Sequence, residues 1–325
     1  MGYVAGETIK DDEYNVFVAS SSSPFGYNHI AGTGSGNQGL GQTELAQVSA
    51  SDSNLIKAAS WNSLLAGIDN IANHTNDSMT ARGQVTAGDP IKIKAALATD
   101  LATLSASVAG GCVNATAVSE SSELRSAASS TRFAGSHTVE HSVTFANGND
   151  LRHFFNAGGK IRIKLTRTGN GGSSATSKDS SVDELITAMG NFDIGAQVST
   201  RSGSGETLST DGFANGVDDL GTSYTTIFLL TQASGTYTSM TLKGEAKVDD
   251  ATYGDATKVT VKMTLNDADS GDSEFTDGNT SGVDQFANFI GTTDFALHTV
   301  NPTTDQGLGS VATISASAIE SNTTA

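Results

Sequence analysis

Residues 151–165 read LRHFFNAGGKIRIKL, and this stretch constrains its own backbone more than any other of its length in the chain. An aromatic run ending at Phe155 meets Asn156-Ala157-Gly158-Gly159, where two glycines supply the positive φ of a tight reversal. Ile161, Ile163 and Leu165 then alternate with Arg162 and Lys164, the period of a strand with one apolar and one cationic face. The pattern predicts a β-hairpin over the whole stretch.

Strand signals continue on both sides of it. Val139, His141, Val143 and Phe145 alternate before an Asn147-Gly148 turn, and further strands are predicted at 223–232, 239–248 and 258–265, with a last one at 294–300. A single helix is expected where Ser181 and Glu184 form a capping box ahead of Leu185, Ile186 and Met189. Short strands divided by Gly and Asp turns suit a mainly antiparallel β-sandwich with one helix, placed over residues 131–325.

Residues 1–130 read differently. Ile9-Lys10, Tyr14-Asn15 and Phe17 recur as Ile56-Lys57, Trp61-Asn62 and Leu64, which implies two related helical hooks, each anchored by an aromatic followed by Asn. In the second hook Trp61, Leu64, Leu65, Ile68, Ile71 and Ala72 share one helical face, with Ser60 placed to cap it. The join at 27–42 is too rich in glycine for regular structure. Its Gly34-Ser35-Gly36-Asn37-Gln38-Gly39 matches GxGxxG by chance, since no apolar strand precedes it. A third helix over 91–108 carries a narrow stripe of Ile93, Leu97, Leu101, Leu104 and Val108, which suits packing within the chain and packing along a symmetry axis equally. Residues 119–130 read as a polar, helical connector. The fold class is therefore α+β, an N-terminal helical attachment region followed by the sandwich.

Composition bounds the function. Thirty-six glycines, 37% apolar and 6% aromatic residues favour turns and extended surfaces over a compact enzyme core. A formal charge of −17 repels a nucleic-acid backbone. Cys112, the one cysteine, has no partner within its own chain and reads as a small buried residue. The first fifteen residues lack a secretory pattern and no apolar run approaches a membrane span, so a soluble protein made in the cytoplasm is expected, which fits assembly into particles there and release by lysis.

Few residues group as chemistry would require. Asp267, Asp269, Asp272 and Glu274 form the best cluster for a hard cation such as calcium, but the EF-hand spacing fails, and a solvated acidic loop is the competing reading. His137 and His141 share a strand face and His153 is near in sequence, short of a zinc site. GxSxG, Walker A and kinase signatures are missing, so no enzyme, cofactor or catalytic residue is expected. The cationic run Arg152, Lys160, Arg162, Lys164 and Arg167 either docks an acidic patch at 249–277 of a neighbouring copy or is an ordinary solvent face.

The FFNAGGKIRI run resembles a hairpin of virion structural proteins of tailed phages, especially large marine cyanophages, and the YN and WN hooks are similar to the N-terminal part of the same proteins. There IxxxxYN, GYGQ and IxxxxWN follow one another; here Gly39-Leu40-Gly41-Gln42 stands in the GYGQ place. The resemblance covers residues 5–75 and 135–310. It implies a non-enzymatic tail, neck, baseplate or fibre component, assembled in the host cytoplasm, whose partners are copies of itself and other virion proteins, with neither nucleic acid nor membrane. Tyr14, Phe17 and Trp61 are the expected docking contacts, together with Arg162 and Lys164. The alternative is an adhesin module that binds a host-surface glycan or receptor, with or without calcium.

Overall fold

The computed structural model describes residues 11–32, 37–38, 43–49, 56–89, 96–109, 118–121, 123–129, 136–168, 177–208, 216–234, 237–252, 254–266, 292–302 and 315–323. The chain is a mixed α+β protein that divides into two compact units. The first takes Met1–Ser119, Asn147–Gly159 and Asn301–Ala312, the second Glu120–Ala146, Lys160–Val300 and Thr313–Ala325.

The first unit is helical: α1 (Asp11–Val18), α2 (Tyr27–Ala31), α3 (Ala58–Thr75), α4 (Leu97–Ala109) and α5 (Gly148–Asn156). The face of α3 that the sequence picked out is the buried one, and Trp61, Leu64, Ile68 and Ile71 are each no more than 1% exposed. Lys57, not Ser60, is the N-cap of α3; Ser60 falls inside the first turn because the helix starts earlier than a serine cap would place it. The stripe Leu97, Leu101, Leu104 and Val108 of α4 is fully buried in the same core, so it packs within the chain. The part of that stripe before Leu97 lies outside the described residues, as does Cys112. The glycine-rich join does hold regular structure at its start, because Tyr27, Ile30 and Ala31 bury one side of α2.

The predicted hairpin is a helix followed by a strand. Asn147 caps α5, its Oδ1 accepting the Asp150 N–H at 2.9 Å, and Leu151, Phe154 and Phe155 then fall at i, i+3 and i+4 on a fully buried face. Phe154 and Phe155 stand edge to face with ring centroids 5.1 Å apart. Gly158, at φ 90°, turns the chain out of the helix.

The second unit holds β1 (Val118–Glu120), β2 (Arg125–Ser129), β3 (Ser136–Thr144), β4 (Lys160–Thr168), β5 (Asn191–Ile194), β6 (Ser199–Arg201), β7 (Thr207–Leu208), β8 (Thr225–Thr231), β9 (Thr241–Val248), β10 (Lys258–Asn266), β11 (Thr292–Pro302) and β12 (Ser315–Thr323), with one helix, α6 (Ser177–Met189). One sheet has the order β1-β11-β4-β5-β6, with β2 also pairing β11; the other runs β12-β3-β10-β9-β8-β7. The paired registers are antiparallel, and Val261 at the centre of β10 lies opposite His141 of β3 and Ala246 of β9.

Three expectations are corrected here. The connector at 119–130 contains β1 and β2 rather than helix, β11 is followed by a further strand, and Ser181 lies inside α6, which begins at Ser177. Strand alternation held where it was strong. In β3, and in β4 as far as Leu165, every second residue is buried, and Ile161, Ile163 and Leu165 face the core as their period required. Side chains of the two sheets meet: the Phe192 and Phe228 rings lie 4.5 Å apart, and those of His137 and Phe295 lie 5.2 Å apart.

Candidate functional site

The hooks have a construction that the sequence only half disclosed. In each, the aromatic enters the core and the Asn after it faces the other way, onto the backbone of an extended segment. Asn15 donates from Nδ2 to the Val48 carbonyl at 2.9 Å and accepts the Val48 N–H on Oδ1 at 2.8 Å. Asn62 does the same with Val85, both bonds being 2.9 Å. A third pair follows the same rule: Tyr27 is buried and Asn28 grips Leu45 through two bonds of 2.8 Å. A side-chain amide that meets both polar groups of one residue replaces half of a strand neighbour, at about 0.5–1.5 kcal/mol for each bond.

The gripped segments are extended and largely exposed. Of residues 43–49 only Leu45 and Val48 are half-buried, and both pack on the helical core. Two weaker bonds add to the hold, Tyr27 Oη to the Thr43 carbonyl at 3.4 Å and Gln47 Nε2 to the Asn15 carbonyl at 3.3 Å. The segment after α3 carries Val85 and a nearly buried ion pair, Arg82 Nη2 to Asp100 Oδ2 at 2.5 Å, with Thr80 bonded to both partners.

Tyr14, Phe17 and Trp61, expected as docking contacts, are 1%, 9% and 1% exposed and form the unit's own core. Their rings pack in that core with residues of α2, α3 and α4. Burial also holds the Tyr14 phenol above its usual pKa and pushes that of Tyr27 up to about 12.

Arg162 and Lys164 lie in a closed ion network on the polar face of β4. Arg162 forks onto Asp193, Nε to Oδ1 at 2.6 Å and Nη2 to Oδ2 at 2.7 Å, and reaches Glu120 Oε2 from Nη1 at 2.6 Å. Lys164 Nζ donates to the other Glu120 oxygen. Asp193, ahead of Glu120, raises the Arg162 pKa, and the Lys164 hydrogen bond leads the causes that lower that of Glu120. Within this network two cations face two carboxylates. Arg167 is likewise paired, with Asp183 at 2.5 Å, and Arg152 belongs to α5 and is 3% exposed. Of the expected cationic strand, Arg162, Lys164 and Arg167 are thus paired with carboxylates of the same chain.

The histidines serve packing. His141 Nε2 donates to the Phe295 carbonyl at 2.9 Å, and His137 Nδ1 lies 2.8 Å from Thr293 Oγ1. His153 is on α5, in the other unit. Among the described residues no three His, Cys, Asp or Glu side chains gather to hold a metal ion. Asp267, Asp269, Asp272 and Glu274 lie outside the described residues, as does most of the GxGxxG match. A shallow depression of about 270 Å³ is lined by Asp183, Glu184, Thr187, Ser204 and Glu206, whose carboxylates accept from Arg167, Gln232 and the Ala233 N–H. Among the described residues no helix is long and apolar enough to cross a membrane.

The FFNAGG motif is itself part of the helical unit's construction. His74 Nε2, fully buried at the end of α3, donates to the Ala157 carbonyl at 2.7 Å, and Asn156 Nδ2 donates to the Gln38 carbonyl. Gln38 is held further by its N–H to the His29 carbonyl at 2.7 Å and its Nε2 to the Ser105 carbonyl at 2.8 Å. No family model, curated protein or solved structure matches this chain.

Sequence reasoning missed Asn28 and the role of all three asparagines. The signal was present: Tyr14-Asn15, Tyr27-Asn28 and Trp61-Asn62 are three of the four aromatic-Asn dipeptides in a chain poor in aromatics, the other being Phe155-Asn156.

Proposed function

We propose that this chain is a non-enzymatic structural component of a tailed-phage virion, in the tail, neck, baseplate or a fibre-type appendage. It acts by docking onto copies of itself and other virion proteins. The observation that carries this reading is the recurrence of aromatic-Asn clamps that fix extended segments on a small helical core. Such a construction invests polar residues of the unit in holding one segment of the chain on another, and two of the clamping residues, Asn15 and Asn62, belong to the YN and WN hooks that resemble those of phage virion proteins.

The finer architecture belongs to the same reading. The two antiparallel sheets form a β-sandwich, supported by the Phe192 to Phe228 and His137 to Phe295 contacts between their inner faces. Two compact units, one of them the sandwich, suit a part that is positioned once and then holds its place in a particle. Docking uses the clamped extended segments, since the aromatic anchors are already covered. The test is mass spectrometry of purified tailed-phage particles encoding this chain. Stoichiometric recovery of the chain in intact particles supports the proposal, and its confinement to the lysate supernatant overturns it. Binding of defined glycans by the full chain, without assembly, would favour the adhesin reading.

A further inference from the structure

We propose that the clamps of Asn15 and Asn28 are an exchangeable docking site, filled in the assembled protein by residues 43–49 of a neighbouring copy. The proposal rests on the assembly reading and adds to it the segment, the acceptor and the partner, which is a second copy of this chain.

Three features carry it. On the segment side, both clamps touch only main-chain atoms, the N–H and carbonyl of Leu45 and of Val48, so nothing in them distinguishes a segment of the same chain from that of another copy. The side chains that accompany those bonds, Leu45 and Val48, fit by construction any copy of the sequence, while Thr43, Glu44, Ala46, Gln47 and Ser49 are exposed. The segment is therefore held chiefly as a ligand is held, by main-chain bonds and two pegs, with the weaker side-chain bonds of Gln47 to the Asn15 carbonyl and of Asn37 to Glu44 beside them, outside the core that Tyr14, Ile30 and Trp61 form.

The connections set the range of the exchange. Gln38 is pinned by its own bonds, and four residues separate it from Thr43, a reach of roughly 17 Å when fully extended. An exchanged segment must then return to Ile56, near the start of α3, across the six residues that follow Ser49. Only a copy packed side by side lies within that distance. Within one chain the tether holds the segment at an effective concentration of order millimolar, so exchange requires copies at comparable local density, which an assembled particle provides.

The experiment uses the full chain with a photoreactive benzoyl-phenylalanine at Gln47, whose side chain touches the Asn15 carbonyl and whose loss removes one weak bond. The concentrated, assembled protein is irradiated and run on a denaturing gel, and the linked peptides are mapped. The expected result is covalent dimers and higher species whose links map to residues 11–18. Adding Asn15→Leu and Asn28→Leu to the same chain should lower their yield roughly tenfold or more. Multimers whose links to residues 11–18 stay within one chain would overturn the exchange and leave assembly standing. Failure of the full chain to form multimers at all would overturn both.

Discussion

The side-chain amide of Asn28 meets both main-chain polar groups of Leu45, each bond being 2.8 Å long. Asn28 is 7% exposed and the residue before it is a core tyrosine, so the amide has one orientation available and Leu45 is the residue it selects. Asn28→Leu keeps the volume but removes both bonds and leaves the Leu45 groups to water. The expected outcome is a loss of about 1–3 kcal/mol of local protection at the Leu45 amide in hydrogen exchange, with the α3 core amides unchanged. Unchanged protection at Leu45 would show that the clamp holds nothing.

Asn62 grips Val85 on a different segment and shares no partner with Asn15 or Asn28. Asn62→Leu should therefore deprotect Val85 while leaving Leu45 and Val48 as they were, and the combined variant should show the sum of the separate effects. Coupling among the three sites, read as a shortfall or excess in that sum, would contradict three independent clamps.

Gly67 lies in the middle of α3 against the Tyr27 ring, where a Cβ would stand 2.5 Å from Cε2. Helix propensity favours Ala over Gly by about 1 kcal/mol, but Tyr27 is buried and cannot yield. Gly67→Ala should thus destabilise the helical unit in thermal unfolding and loosen the neighbouring Asn28 clamp. A rise in Tm would mean that α2 does not pack on α3 as described.

How much of this was legible follows from the length of each signal. The buried face of α3 and the alternation of β3, β4, β9 and β10 were readable because a periodic run reports its own burial. The stretch around Phe154 misled because Asn147-Gly148 and Asn156-Ala157-Gly158 are both turn signals, and the seven residues between them fit a strand as well as a helix. What decided it was the Asn147 cap with Leu151, Phe154 and Phe155 at helical spacing. The docking residues misled for another reason: whether Trp61 or Arg162 meets a partner depends on what the rest of the chain brings to it. Asp193 and Glu120, which neutralise Arg162, come from distant positions in the sequence.

His74 is fully buried with Nε2 on the Ala157 carbonyl, and burial lowers its pKa below the usual 6.5. The unfolded chain then binds the proton first. The stability contributed by neutral His74 is complete above pH 6.5, declines as pH falls below that value, and levels off under the folded-state pKa. His74→Gln keeps a donor for Ala157 and should flatten this part of the pH dependence in urea unfolding. Identical slopes for variant and parent would refute the assignment.

Arg162 holds Asp193 through two parallel bonds, a geometry that lysine cannot reproduce. Arg162→Lys should lower the stability of the β unit by about 1–3 kcal/mol, and a double-mutant cycle with Asp193→Asn should show most of that cost as coupling. Because the Glu120 pKa is lowered in the folded chain, its share is present above pH 4.5 and is lost as pH falls through the folded value. Additive effects of the two substitutions would mean that the fork is idle.

Assembly from copies of this chain is tested most directly by the mass of the full-length protein in solution, measured by analytical ultracentrifugation across a concentration series. The expected result is a multimer whose share grows with concentration, and that Asn15→Leu with Asn28→Leu weakens. A single chain mass at every concentration, with or without the two substitutions, would contradict it.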